Sequence, residues 1–194
     1  MTKIIGLTGG IGSGKTMVAK YIESLGIPVY IADDEAKILM SNPAIINAIS
    51  NEFGTNIVDN ETLNRKKLAK LVFNNPDKLK ILNTIVHPQV KRHFDEWVKK
   101  HKNAPLVVKE AAILFESGGD KYCDAIITVT APVEIRVQRI MERDKIDRES
   151  IFQRIQNQWT DEQRIAKSDY VIHNISDDET YKQIDKILNL LINR

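Results

Sequence analysis

Near the start of the chain, Gly9-Gly10-Ile11-Gly12-Ser13-Gly14-Lys15-Thr16 follows the pattern G-x-x-x-x-G-K-[ST]. Each residue type has its own task in holding a polyphosphate. The glycines let the backbone wrap closely, with N–H groups pointing inward. A helix opening at Gly14 or Lys15 turns its positive end toward the same anions. Lys15 brings a full charge to the β- and γ-phosphates, and the Thr16 hydroxyl suits Mg²⁺. The expected phosphate cradle is therefore Gly10, Ile11, Gly12, Ser13, Gly14, Lys15, Thr16 and Met17.

Such a loop defines a nucleotide site and leaves the reaction open. The sequence contains neither a guanine-reading N-K-x-D run nor a D-x-x-G segment. Glu116-Ser117-Gly118-Gly119-Asp120 lacks the flanks of a transporter-ATPase signature. Phosphoryl transfer to a small molecule is the reading that gains. Asp33 follows a predicted strand at the carboxyl edge, where parallel sheets bind ligands, and could take the proton of an attacking hydroxyl. A helix N-cap is the alternative for the same residue. Asp34 and Glu35 read as solvent-facing acids of the first turn. Arg136, Arg139 and Arg143 recur at i, i+3 and i+7 on one helix face, with Arg148 shortly after. They suit either a lid that offsets phosphoryl charge or a solvated face paired with Glu134 and Glu142. His87, beside Pro88, reads as a helix-end residue or a ligand, without a zinc partner at suitable spacing. Trp97 and Trp159 read as packing residues. Arg65-Lys66-Lys67 is a solvated face that would also suit an anionic substrate.

Positioning these residues requires a sheet. Lys3–Thr8 and residues 28–32 read as strands, with a helix between them bearing Val18, Ile22 and Leu25 and ending at Gly26. That is a βαβ unit, and it implies a parallel sheet. The stretch to about residue 103 reads as almost all helix, with Asn42-Pro43 and Asn75-Pro76 as starts. A kink or break is expected at His87-Pro88, with a second helix carrying Val90, Phe94, Trp97 and Val98. Leu106–Glu110 and residues 125–129 read as further strands buried on both faces, and residues 170–174 as a fifth strand. A helix bearing the three arginines follows Pro132. Another, capped by Asp147, is expected to run to about Lys167. The last helix buries Tyr181, Ile184, Leu188 and Leu191.

Composition narrows the setting. The chain has 194 residues, with 28 Lys and Arg against 26 Asp and Glu, a formal net charge of +2. That length suits one domain with an inserted subdomain and buries roughly 70% of the unfolded surface. Hydrophobic residues at 42% make it too apolar for a disordered chain. The charge balance argues against a coat for nucleic acid or a membrane, while leaving local basic sites open. A single cysteine, Cys123, cannot close an intramolecular disulfide, which fits a reducing cytosol. No apolar run nears the roughly 20 residues of a bilayer span, and the N-terminus lacks a signal-peptide core. A cytoplasmic protein without an obligate protein partner is expected.

With these residues in view, the chain resembles the dephospho-coenzyme A kinase family nearly end to end. The carriers are the L-T-G-G-I-G-S-G-K form of the loop, Ile31-Ala32-Asp33 for the family's D-A-D, and Arg65 with His87-Pro88. Further along, Ile113-Leu114-Phe115-Glu116 matches the family's P-L-L-F-E, with Ala112 replacing its usual proline. Arg139, Arg143-Asp144, Arg148 and Gln158 fall on the lid pattern. Ser168 through Asn174 matches the ending A-D-x-V-I-x-N, with Ser176 replacing a usual glycine. The resemblance implies an α/β P-loop NTPase fold of nucleoside/nucleotide-kinase type. It has a five-stranded parallel sheet flanked by helices, a helical substrate insertion and a helical lid. Expected bounds are 1–33, 104–138 and 164–194 for the core, 34–103 for the acceptor domain and 139–163 for the lid. It further implies ATP-dependent phosphorylation of the ribose 3′-hydroxyl of dephospho-CoA, with Mg²⁺ at Thr16. Asp33 would be the base, and Lys15, Arg139 and Arg143 would act on the transferred group. Asp33, Arg65 and His87 would face the acceptor, and Asn174 would lie on the adenine side. Another small-molecule kinase, or an ATP-binding module without catalysis, is the alternative.

Overall fold

The computed structural model describes residues 2–73 and 75–193. The chain begins with β1 (Lys3–Thr8), α1 (Lys15–Ser24), β2 (Val29–Ile31), α2 (Ala32–Leu39) and α3 (Pro43–Phe53). Next come β3 (Val58–Asp59), β4 (Thr62–Leu63), α4 (Arg65–Phe73), α5 (Pro76–Lys100) and β5 (Leu106–Glu110). The remainder holds β6 (Ala125–Thr130), α6 (Val133–Asp144), α7 (Arg148–Gln156), α8 (Asp161–Ile165), β7 (Tyr170–His173) and α9 (Asp177–Ile192). Two units result: Met1–Ile31 with His101–Arg194, and Ala32–Lys100.

The first unit is built on a parallel sheet of five strands in the order β2-β5-β1-β6-β7. Its inner strands read as short apolar runs because both faces are covered. β1 lies at the centre, with Leu7 opposite Glu110 of β5 on one side and Ile127 of β6 on the other. The chain therefore leaves β1 in both directions along the sheet. The glycine-rich loop sits at that switch point, on the carboxyl edge. Under it, Ile5, Leu7, Val108, Ile127, Val129 and Ile172 pack against Val18 and Ile22 of α1 and Ile184 and Leu188 of α9. Tyr21 and Tyr181 stack between those two helices at 4.2 Å. The loop thus rests on a dense core.

Two differences from the sequence reading lie in this unit. The strand expected over 28–32 is only Val29–Ile31, because the chain enters α2 at Ala32. The helix expected from Asp147 to about Lys167 is two helices. Asp147 caps α7 as expected, its carboxylate accepting from the Ser150 amide at 2.8 Å. A second start follows, because Thr160 and Gln163 form a reciprocal capping box. The break between them exposes Gln158 and Trp159 to new partners.

The second unit comprises α2 to α5 and the β3–β4 hairpin. Asn42 caps α3 and Asn75 bonds the Lys78 amide, as their Asn-Pro pairs suggest. Of the kink or break expected at His87-Pro88, the break is absent: α5 runs through Pro88 as one helix. Proline removes one donor there, but Val86, Val90 and Phe94 stay buried along one face, and that packing holds both halves in register. The hairpin escaped the sequence reading. Asn60 and Glu61 both take positive φ, +48° and +62°, without the glycine that signals such a turn.

Candidate active site

Between Thr8 and Lys15 the backbone turns sharply, and Gly14 takes φ +93° as the N-cap of α1. A Cβ there would lie 1.9 Å from Nδ2 of Asn174, so glycine is required by space as well as by conformation. Gly10 is needed for close approach, since a Cβ would meet the Arg136 guanidinium at 2.3 Å. The loop borders a cavity of about 440 Å³. Gly10, Ile11, Gly12, Gly14, Lys15, Thr16 and Met17 all line it. Ser13 is the exception among the expected cradle residues. It is fully buried, turned beneath the loop instead of into the cavity.

Lys15 is folded back on the loop, its Nζ donating to the Gly9 carbonyl at 2.9 Å and lying 3.9 Å from Glu110. Glu110 is only 6% exposed and ends β5 beside the loop. Sequence reasoning passed over this carboxylate. Its position at the last residue of a buried apolar run was the available signal, because a buried acid needs a partner.

The arginine stripe divides. Arg139 and Arg143 line the same cavity as the loop, together with Ile140, Ala112 and Gln158. Arg139 donates to the Asn174 carbonyl at 3.2 Å. Arg143 is paired with Asp144 at 2.6 Å, and that hydrogen bond raises its already high pKa further. Arg136 does not join them. It is 4% exposed, donates to the Ile11 carbonyl at 2.9 Å and pairs with Asp161 at 3.1 Å. The alternative of a solvated face with Glu134 and Glu142 is also not met: Glu134 pairs with Arg148, and Glu142 bonds Gln138. Helical spacing puts residues on one face, and only the neighbouring segment decides which of them is covered.

Behind the loop lies a buried charge cluster. Arg164 is completely buried, reaching Glu116 at 3.2 Å and Asp161 at 3.7 Å. Burial lowers its pKa, and those two carboxylates oppose the shift. Thr130 also bonds Asp161. Trp159 stacks on Phe115 at 5.5 Å and Trp97 lies on Phe94 at 6.1 Å, both in packing roles as expected. The side chain of Asn174, a residue expected on the adenine side, is turned inward. Asn174 is 1% exposed and donates to the Ser13 carbonyl at 2.8 Å, so its amide is spent inside the protein.

In the second unit, Asp33 occupies the first turn of α2, one residue inside the helix. It is exposed and lies past the N-cap position. Arg65 donates to the Lys37 carbonyl at 2.5 Å, tying α4 to the last turn of α2. His87 is exposed on α5. Asp34 is ion-paired with Lys37 at 2.6 Å, and Glu35 lies 3.6 Å from His93. No helix among the described residues is long and apolar enough to cross a membrane.

A glycine-rich loop between the central strand of a parallel sheet and its following helix, faced by arginines from a helix after β6, defines a P-loop fold of the kinase type. Comparison with known proteins narrows this. The model of the dephospho-CoA kinase family matches residues 3–179. A dephospho-CoA kinase of Fusobacterium nucleatum is 42% identical over 185 residues, covering 94% of this chain and 95% of its own. A crystal structure from Thermus thermophilus superposes with a TM-score of 0.88 at 34% identity, covering 97% of each chain. The dephospho-CoA kinase of Campylobacter jejuni superposes with a TM-score of 0.73 at 28% identity, covering 100% of this chain and 98% of its own. The chain belongs to the dephospho-CoA kinase family.

Proposed function

We propose that this chain transfers the γ-phosphoryl group of ATP to the ribose 3′-hydroxyl of dephospho-CoA, giving CoA and ADP. It would do so in the cytoplasm, without an obligate protein partner. The observation that supports this most is the convergence of Lys15, Thr16, Arg139 and Arg143 on one cavity at the loop. In the transfer, the acceptor oxygen bonds to the γ-phosphorus while the bond to the β,γ-bridging oxygen breaks, and that oxygen leaves with ADP. Charge spreads over the equatorial oxygens, so positioned cations do most of the work. Lys15 exchanges the Gly9 carbonyl for phosphate oxygens, while Glu110 beside it keeps the ammonium directed. Arg139 and Arg143 face the same anion from α6.

Mg²⁺ fits the donors present. The Thr16 hydroxyl is on the cavity wall, and this hard cation commonly takes few protein oxygens with the rest from phosphates and water. Bound there, it would neutralise charge on the β- and γ-phosphates. Asp33 is the proposed base that receives the proton of the 3′-hydroxyl. Its exposure in a first helical turn, where it does not cap the helix, supports that assignment. Arg65 and His87 are proposed for the acceptor region.

A coupled assay of ADP release tests the reading, run in parallel with dephospho-CoA, nucleosides and nucleoside monophosphates. Turnover with dephospho-CoA alone is expected; basal ATP hydrolysis with every acceptor would sink it. Asp33→Asn should keep ATP affinity and lower kcat by about 10²–10⁴-fold. Near-normal turnover in that variant removes Asp33 as the base.

A further inference from the structure

We propose that Asn174 is a positioning residue for the phosphate loop. Its amide locks the Ser13-Gly14 peptide so that the Gly14 N–H is presented to the nucleotide phosphates. The proposal rests on the reading that the cavity takes the triphosphate of ATP.

Asn174 Nδ2 donates to the Ser13 carbonyl at 2.8 Å, in the interior. No cis peptide bond occurs among the described residues. In a trans peptide the carbonyl and the following N–H point in opposite directions. With the Ser13 carbonyl turned inward to Asn174, the Gly14 N–H faces the other side of the loop, and Gly14 lines the cavity. A lock is needed because of the residue that follows. Gly14 sits at φ +93°, and glycine changes backbone conformation at little cost. A free peptide could therefore flip and turn a carbonyl oxygen, not a donor, toward the phosphates.

The amide itself has one way to lie. Only its NH₂ end can bond the Ser13 carbonyl, and its Oδ1 then faces the Thr180 hydroxyl at 3.1 Å, whose one proton it shares with the Ser176 carbonyl at 2.7 Å. The Asn174 backbone N–H is tied to the Thr130 carbonyl at 2.8 Å, which fixes the residue just beyond β7. At 1% exposure Asn174 touches no ligand and acts through the loop. Its own carbonyl accepts from Arg139 at 3.2 Å, so one residue braces both the loop and an arginine of the cavity lining.

The test compares wild type with Asn174→Asp, Asn174→Ala and Thr180→Val, using ATP as the probe. Protein labelled with [¹⁵N]glycine has nine glycine amides, few enough to assign. In wild type, ATP should shift the Gly14 amide resonance downfield, as expected of an N–H bonded to phosphate. Both Asn174 variants should lose that response and bind ATP about 10- to 100-fold more weakly, with the Gly26 and Gly54 signals unchanged. Asn174→Asp sets one oxygen against another and should be the more severe. Thr180→Val frees the far end of the amide and should weaken ATP by about 3-fold or more. A lowered melting temperature with the Gly14 response and ATP affinity intact would overturn the proposal, leaving Asn174 as core support. If neither Asn174 variant folds, unchanged ATP affinity in Thr180→Val overturns it instead. Wild-type protein that binds no ATP removes the nucleotide reading itself, and this proposal with it.

Discussion

The Ile11 backbone N–H donates to Oε1 of Gln158 at 2.9 Å, across 147 residues of sequence. On its other side the Ile11 carbonyl accepts from Arg136. Both backbone polar groups of one loop residue are thus held by the segment that follows β6. That segment also packs on the Ile11 side chain through the small core of Val137, Ile140 and Ile151. The glycine-rich loop is shaped by the segment after β6 as well as by the sheet.

Gln158→Ala should therefore raise the KM for ATP by about 3- to 10-fold, the size of one lost hydrogen bond. The melting temperature should hardly change, because Gln158 is not part of the core. Steady-state kinetics with ATP as the varied substrate measures this. An unchanged KM would mean that the loop keeps its shape without the bond.

Lys15→Met should abolish the stabilisation that ATP confers. A ligand at 100 times its Kd adds about 2.7 kcal/mol to the folded state. Wild type should therefore melt at a clearly higher temperature in excess ATP than without it, and the variant at the same temperature in both. A full thermal shift in Lys15→Met would detach this lysine from phosphate binding.

Asp161→Ala should destabilise the protein by about 3–5 kcal/mol, because it strands the buried Arg136 and Arg164 without a shared counter-charge. The exposed Glu179–Lys182 pair on α9 is the control, and Lys182→Ala should leave the urea midpoint in place. Equal midpoints for wild type and Asp161→Ala would show that Glu116 and Thr130 suffice to hold the cluster.

Cys123 should behave as a half-buried, desolvated thiol. Burial is the main cause that pushes its pKa from 9.0 up to about 11. The folded state thus keeps the proton more tightly than the unfolded one. The resulting stability is complete below about pH 9 and is lost as pH rises toward 11. At pH 8 the native thiolate fraction is about 100-fold below that of the unfolded chain. Reaction with an aromatic disulfide reagent should be slow by that factor until denaturant is added. Melting temperatures of wild type and Cys123→Ser should converge as pH rises through that window.

Much of the site was legible because local chemistry dictates it. The spacing from Gly9 to Thr16, ahead of a helix and behind an apolar run, specifies a phosphate loop wherever it lies. The runs at Lys3–Thr8 and Leu106–Glu110 became strands with the same bounds, since apolar segments of that length have few other uses. Asn42-Pro43 and Asp147 announced helix starts through bonds made within four residues. What stayed hidden depends on partners distant in sequence. Arg136, Arg139 and Arg143 look alike as a stripe, and only the placement of Asp161 and Ile11 buries the first while the others face the cavity. Pro88 breaks a helix by local rules, yet the packing of Val86, Val90 and Phe94 carries α5 through it. Asn174 could not be assigned from its own neighbours, because its amide bonds a carbonyl 161 residues away. The sequence alone determined the P-loop and the candidate residues around it. The tertiary structure decided which of them face the cavity and which hold the others in place, because burial and long-range hydrogen bonds are properties of the folded whole.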